Sequence, residues 1–156
     1  MKGVLVWMVL LLSGNLFAEG GFPSKCNPLM IDDELVKISA DKPSLVMIHN
    51  VSVLDLWITH PVSDETANAG WSSHLQAGHW SALALEKGSF ELSCIESRPG
   101  HEQQVPCKGL LAACQWMPVI QPKAATGTFW AGEDMTLASL KAYVGSRGFQ
   151  LPAKAQ

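Results

Sequence analysis

The sequence predicts a mainly β protein: an antiparallel β-sandwich, immunoglobulin- or cupredoxin-like, with one C-terminal α-helix. Three observations lead there. Short apolar or alternating segments recur at close intervals, Gly and Pro turns separate them, and the hydrophobic period changes to a helical one only near the end. A length of 156 residues suits one domain or two small ones.

Each element follows from its residues. Met1-Lys2 precede an unbroken apolar run over 4–12, and Ala18 closes the mixed stretch Ser13-Gly14-Asn15-Leu16-Phe17 behind it. One positive charge, an apolar run too short to span a bilayer comfortably and a small residue at the end read as a signal peptide over 1–18. Leu16, three residues before that cut, is larger than the preferred small residue. Residues 19–44 are expected to form an N-terminal leader and first strand region, 45–132 the sandwich core, and 133–156 a C-terminal helix and tail. The leader over 19–28 is Gly/Pro-rich and tied down only if Cys26 is bonded. Residues 45–49 are apolar enough for a strand buried on both faces. Leu54, Leu56 and Ile58 alternate with Asp55, Trp57 and Thr59, so Leu and Ile face inward and Trp57 outward. Pro61 ends that strand, and 64–70 is a polar loop or a single helical turn. Further strands are expected over 79–85, through Phe90, Leu92 and Cys94, and over 110–116. Leu137, Leu140 and Val144 then fall at helical spacing, with Asp134 and Thr136 as caps and Arg147-Gly148 as a stop, predicting a helix over 134–146.

Charge and cysteine content narrow the function. Eleven basic residues against fourteen acidic ones give a net charge of −3, no field for attracting phosphates, so nucleic acid is not an expected partner. Cleavage after Ala18 would remove Lys2 alone and take the charge to −4. Contact with a membrane is expected only through the export signal. Cys26, Cys94, Cys107 and Cys114 all follow the leader, and an even count in an exported chain points to two disulfides. Their spacings include no C-x-x-C knuckle, which argues against a zinc-thiolate site. A Cys94–Cys107 bond would close a short loop and contribute about 3 kcal/mol in the chain-entropy model, leaving Cys26 for Cys114. The alternative joins Cys94 to Cys114 and Cys26 to Cys107, and sequence does not choose between them.

Candidate chemistry is sparse. Of five histidines, His60, His74, His79 and His101 could serve a copper or zinc ion, the alternative functional reading for a cupredoxin-like sandwich. A blue-copper site would need Cys94 as a free thiolate with His101 and Met117, but the tight Cys-His-Met loop is missing. The plainer reading makes His60 a strand cap and the others loop residues, with no resident cofactor expected. No G-x-S-x-G elbow, H-E-x-x-H pair or phosphate loop occurs. The acidic pairs at Asp32-Asp33-Glu34 and Glu133-Asp134 read as solvated or helix-capping charges, and Ser73-His74 needs geometry before it means anything. Asn50-Val51-Ser52 is a glycosylation sequon that abuts a strand. Trp57, Trp71, Trp80 and Trp130, near strand ends, could line a binding surface for a glycan or peptide; the competing reading makes them core filler.

The stretch from Leu54 to Trp116 resembles the enhanced-entry protein B family of exported proteins from intracellular Gram-negative bacteria. The matching pieces are residues 56–61 (Leu-Trp-Ile-Thr-His-Pro), 69–73 (Ala-Gly-Trp-Ser-Ser), 80–83 (Trp-Ser-Ala-Leu) and 90–100, which ends in Arg98-Pro99-Gly100. They continue in Glu102-Gln103, Cys107 and Cys114-Gln115-Trp116. The resemblance covers the middle of the chain and implies a periplasmic protein linked to envelope maintenance or entry into host cells. It brings no catalytic residues. A non-catalytic module binding an envelope protein or cell-wall component is therefore the expected function.

Overall fold

A computed structural model describes residues 21–61, 72–117, 122 and 127–151. The signal-peptide reading, the polar stretch at 64–70 and Trp71 lie outside the described residues.

The chain alternates between two antiparallel sheets. β1 (Asn27–Pro28), β9 (Leu111–Trp116), β3 (Ser44–Asn50), β6 (Trp80–Leu85) and β10 (Phe129–Met135) form the first, in that spatial order. β2 (Leu35–Ala40), β7 (Gly88–Glu96), β4 (Leu56–Thr59) and β5 (Ser72–Leu75) form the second, and β8 (Gln104–Val105) continues the line of β2 along β7. Helix α1 (Leu137–Ser146) follows. The expected sandwich with one C-terminal helix is the observed architecture.

Two apolar layers explain the order. Val36, Ile38, Val46, Ile48, Leu56, Ile58, Leu83 and Leu92 meet between the sheets. Leu45, Met47, Trp80, Ala82, Ala84 and Trp116 face the other way and are covered by Leu140 and Val144 of α1, Phe149 and the leader. β3 and β6 feed both layers, which is why their apolar runs hardly alternate. The second sheet has one layer only, so Trp57 lies outward between buried Leu56 and Ile58, as the alternation predicts.

The helix starts later than the expected residue 134. Asp134 belongs to β10 and adopts φ +50°, which no helix continues. The cap is Thr136, whose Oγ1 accepts from the Ser139 backbone N–H at 3.3 Å. Gly132 lets α1 sit close: a Cβ there would run into Leu140 Cδ1.

Asn50 is fully buried and shapes the crossing from β3 to β4. Its Nδ2 donates to the carbonyls of Leu54 (2.7 Å) and Leu75 (2.9 Å). Its Oδ1 accepts from Ser52 N (3.0 Å) and Ser52 Oγ (2.7 Å). With both amide hydrogens in use, the sequon cannot carry a glycan in the folded chain.

The bridges are Cys26–Cys114 and Cys94–Cys107. All four thiols are thus consumed, the mark of a chain that matures in an oxidising compartment outside the cytoplasm. Cys26–Cys114 pins the leader: Trp116 Nε1 donates to Ser24 O at 3.1 Å and Phe22 meets Trp80 edge-on. Among the described residues no helix is long and apolar enough to cross a membrane.

Two outcomes follow. The bridges span sequence separations of 88 and 13, so Cys26→Ser/Cys114→Ser should lose about 4–5 kcal/mol and Cys94→Ser/Cys107→Ser about 3 kcal/mol, read by urea denaturation. Gly132→Ala should cost about 1–3 kcal/mol by overpacking, with loss of helical circular dichroism reporting undocking of α1.

Candidate functional site

The described polar side chains converge most densely where the two sheets meet, at the margin shared by β5 and β10. β10 slips register against β6 twice, between Trp130 and Gly132 and between Gly132 and Met135. These irregularities place Asp134 in the left-handed region, which Asp tolerates better than most residues. Its backbone N–H donates to Ser81 Oγ at 3.0 Å, and its carboxylate reaches across to the β5–β6 turn.

Four donors meet that carboxylate. Gln76 supplies its backbone N–H to Oδ1 and its Nε2 to Oδ2, both at 2.8 Å. His79 Nδ1 lies 2.9 Å from Oδ1 and 3.2 Å from the Asp134 carbonyl. His74 Nδ1 lies 3.4 Å from Oδ2. Burial by itself would raise the carboxyl pKa; the hydrogen bonds from Gln76, His74 and His79 outweigh it and hold Asp134 below the ordinary value near 3.8. An ionised carboxylate only accepts, so both rings carry hydrogen on Nδ1.

Trp57 adjoins this corner. It is in register with His74 on β5 and Ile95 on β7, its ring lies edge-on to His74 with centroids 5.0 Å apart, and it is 38% exposed. Beside it, Thr59 Oγ1 and Ser93 Oγ are hydrogen-bonded at 2.8 Å. The result is one exposed aromatic with hydroxyl and imidazole neighbours, on the sheet face that α1 leaves uncovered.

The other candidates separate. His60 follows β4, stacks on Phe90 with centroids 4.2 Å apart and donates from Nδ1 to Glu91 O at 2.7 Å, away from Asp134. His101 is exposed in the loop after β7. His49 stacks on Trp80, and burial, partly offset by a hydrogen bond to the Gly78 backbone, lowers its pKa. Trp80 is buried at 4% exposure, and Trp130 is half-buried against the inter-sheet core. Of the described tryptophans proposed as a surface, Trp57 alone is exposed. Asp32 and Asp33 pair with Lys37 and Lys108 in solvent, as the sequence suggests. Cys94 is bonded to Cys107, which removes the thiolate that a blue-copper site requires. No group of three or more His, Cys, Asp or Glu among the described residues is placed to hold a metal ion.

Comparison with protein-family models, curated proteins and solved structures finds no match to this chain. The reading of function therefore rests on residues and geometry. Sequence reasoning missed Asp134, which it took for a helix cap. The available signal was Thr136 with Ser139 three residues on, a second cap candidate that leaves Asp134 outside the helix, and Gly132 just upstream as a residue type common at bulges.

The depressed pKa fixes a sign. Asp134 contributes stability that is present above its unfolded pKa, about 3.9, and lost as pH falls through its lower folded value. Asp134→Asn replaces one accepting oxygen with a donor facing donors and should cost about 1–3 kcal/mol near neutrality. That deficit should shrink as pH drops from about 5 toward 2, measured by denaturant melts of both proteins across the range.

Proposed function

We propose that this chain is an exported, periplasmic binding module that acts by holding an envelope partner, a protein or a cell-wall component, rather than by catalysis. The observation that carries this reading is Trp57, an exposed aromatic on the sheet face that α1 leaves bare, in a protein whose four cysteines are all oxidised. Tryptophan is the residue type most enriched among energetically dominant interface positions, because it offers a large contact area at low entropic cost. The disulfides support residence beyond the cytoplasm, and the apolar leader supports export by signal-peptide cleavage. The resemblance to the enhanced-entry protein B family supports a role in envelope maintenance or entry into host cells.

A photoreactive amino acid at position 57 should capture an envelope component in intact cells, while one at Lys87, in the exposed β6–β7 turn, should not. Trp57→Ala should weaken binding of the captured partner by about 2 kcal/mol or more, with little change in folding stability. Equal capture from both positions, or undiminished binding by Trp57→Ala, would count against this face.

A further inference from the structure

His74 lies in β5 and His79 immediately precedes β6, strands of different sheets, yet one carboxylate holds both rings by the same atom. With Nδ1 carrying the hydrogen, each neutral ring keeps a lone pair on Nε2. Neither Nε2 has a hydrogen-bond partner among the described residues. The two side chains are 33% and 32% exposed, against 20% for Asp134 behind them.

A carboxylate bonded to the far nitrogen of an imidazole fixes the tautomer and ring orientation and makes the free nitrogen a better electron-pair donor; metal-binding histidines are commonly supported this way. Here the carboxylate supports two rings at once. The backbone is distorted to put it there: β10 slips twice, and Asp134 takes a left-handed φ that costs a non-glycine residue about 1 kcal/mol. Gln76 adds two further hydrogen bonds that keep the carboxylate aimed at the rings. Trp57 flanks His74 and restricts its swing.

We propose that His74 and His79 form a two-imidazole site for a divalent transition-metal ion, Cu2+ or Zn2+, with Asp134 behind both rings and water in the remaining positions. Imidazole nitrogen suits copper and zinc, whereas magnesium and calcium favour oxygen ligands. Binding through Nε2 leaves both Nδ1 bonds to Asp134 intact. The described residues offer no third protein ligand, so the site is open, and Cu2+, first in affinity among the first-row divalent ions, is its strongest occupant.

The test is calorimetric titration of CuCl2, ZnCl2 and, as a control, CaCl2 into full-length protein carrying no histidine tag, with electron paramagnetic resonance of the copper form. Expected are one equivalent of Cu2+, nitrogen superhyperfine structure and no response to Ca2+. His74→Gln and His79→Gln should each weaken binding at least about 10-fold, and Asp134→Asn by about 10- to 100-fold. His60→Gln and His101→Gln should bind as the parent does. Because His79→Gln could disturb the corner, each variant is also melted with and without Cu2+: the ion should raise the melting temperature of the parent and of folded His60→Gln, but not of His74→Gln. Absence of saturable binding, or copper binding that survives both His74→Gln and His79→Gln, would overturn the proposal. So would binding that disappears in His101→Gln.

Discussion

The first sheet has two apolar faces, and the rest of the architecture answers that constraint. β3 and β6 send Val46, Ile48 and Leu83 one way and Leu45, Met47, Trp80 and Ala82 the other. Water must be kept from both faces, since burying one large aliphatic or aromatic side chain contributes roughly 1.5–3 kcal/mol. The second sheet covers the inner face. Among the described residues no further sheet lies over the outer one, and α1 and the leader cover it instead. Gly132 permits the close approach of α1, and the Cys26–Cys114 bridge holds a leader too short in regular structure to hold itself.

The margin between β5 and β10 meets a different demand. Strands of separate sheets come together there without laddering, and their free polar groups need partners. Asp134 supplies them with its side chain, accepting from the Gln76 backbone as a neighbouring strand would. An acceptor fixed for structural reasons also orders two imidazoles, so one residue serves the corner's integrity and its chemistry together. That economy comes with exposure to acid, because protonating a single carboxyl loosens the turn and both rings.

The sequence displayed the parts of this fold that obey simple periods. Residues 45–49 read as doubly buried, and 45–48 are, while His49 is half-buried. Leu56 and Ile58 point inward with Trp57 outward, and Phe90, Leu92 and Cys94 share the inner face of β7. β5 was hidden because Ser72-Ser73-His74-Leu75 has little strand propensity and is held by its neighbours. β10 was hidden for another reason: its bulges break the alternation and Gly132 lies in its middle. The site inherited that opacity. His74 and His79 were visible as residues, but Asp134 joins them only through an irregular backbone that no period encodes. The disulfides stood between two pairings on sequence alone, and geometry selects the one that fastens the leader to β9.

That selected pairing is nested: the first cysteine joins the last, and the middle two join each other. Synthesis presents Cys26 long before Cys114, with Cys94 the earliest thiol it can meet. An oxidant acting in order of emergence would therefore create a non-native link, and only thiol–disulfide exchange, or delay until β9 arrives, repairs the pattern. The strap that seals the outer face is thus also the element whose correct closure rests on exchange or on delay, not on oxidation alone.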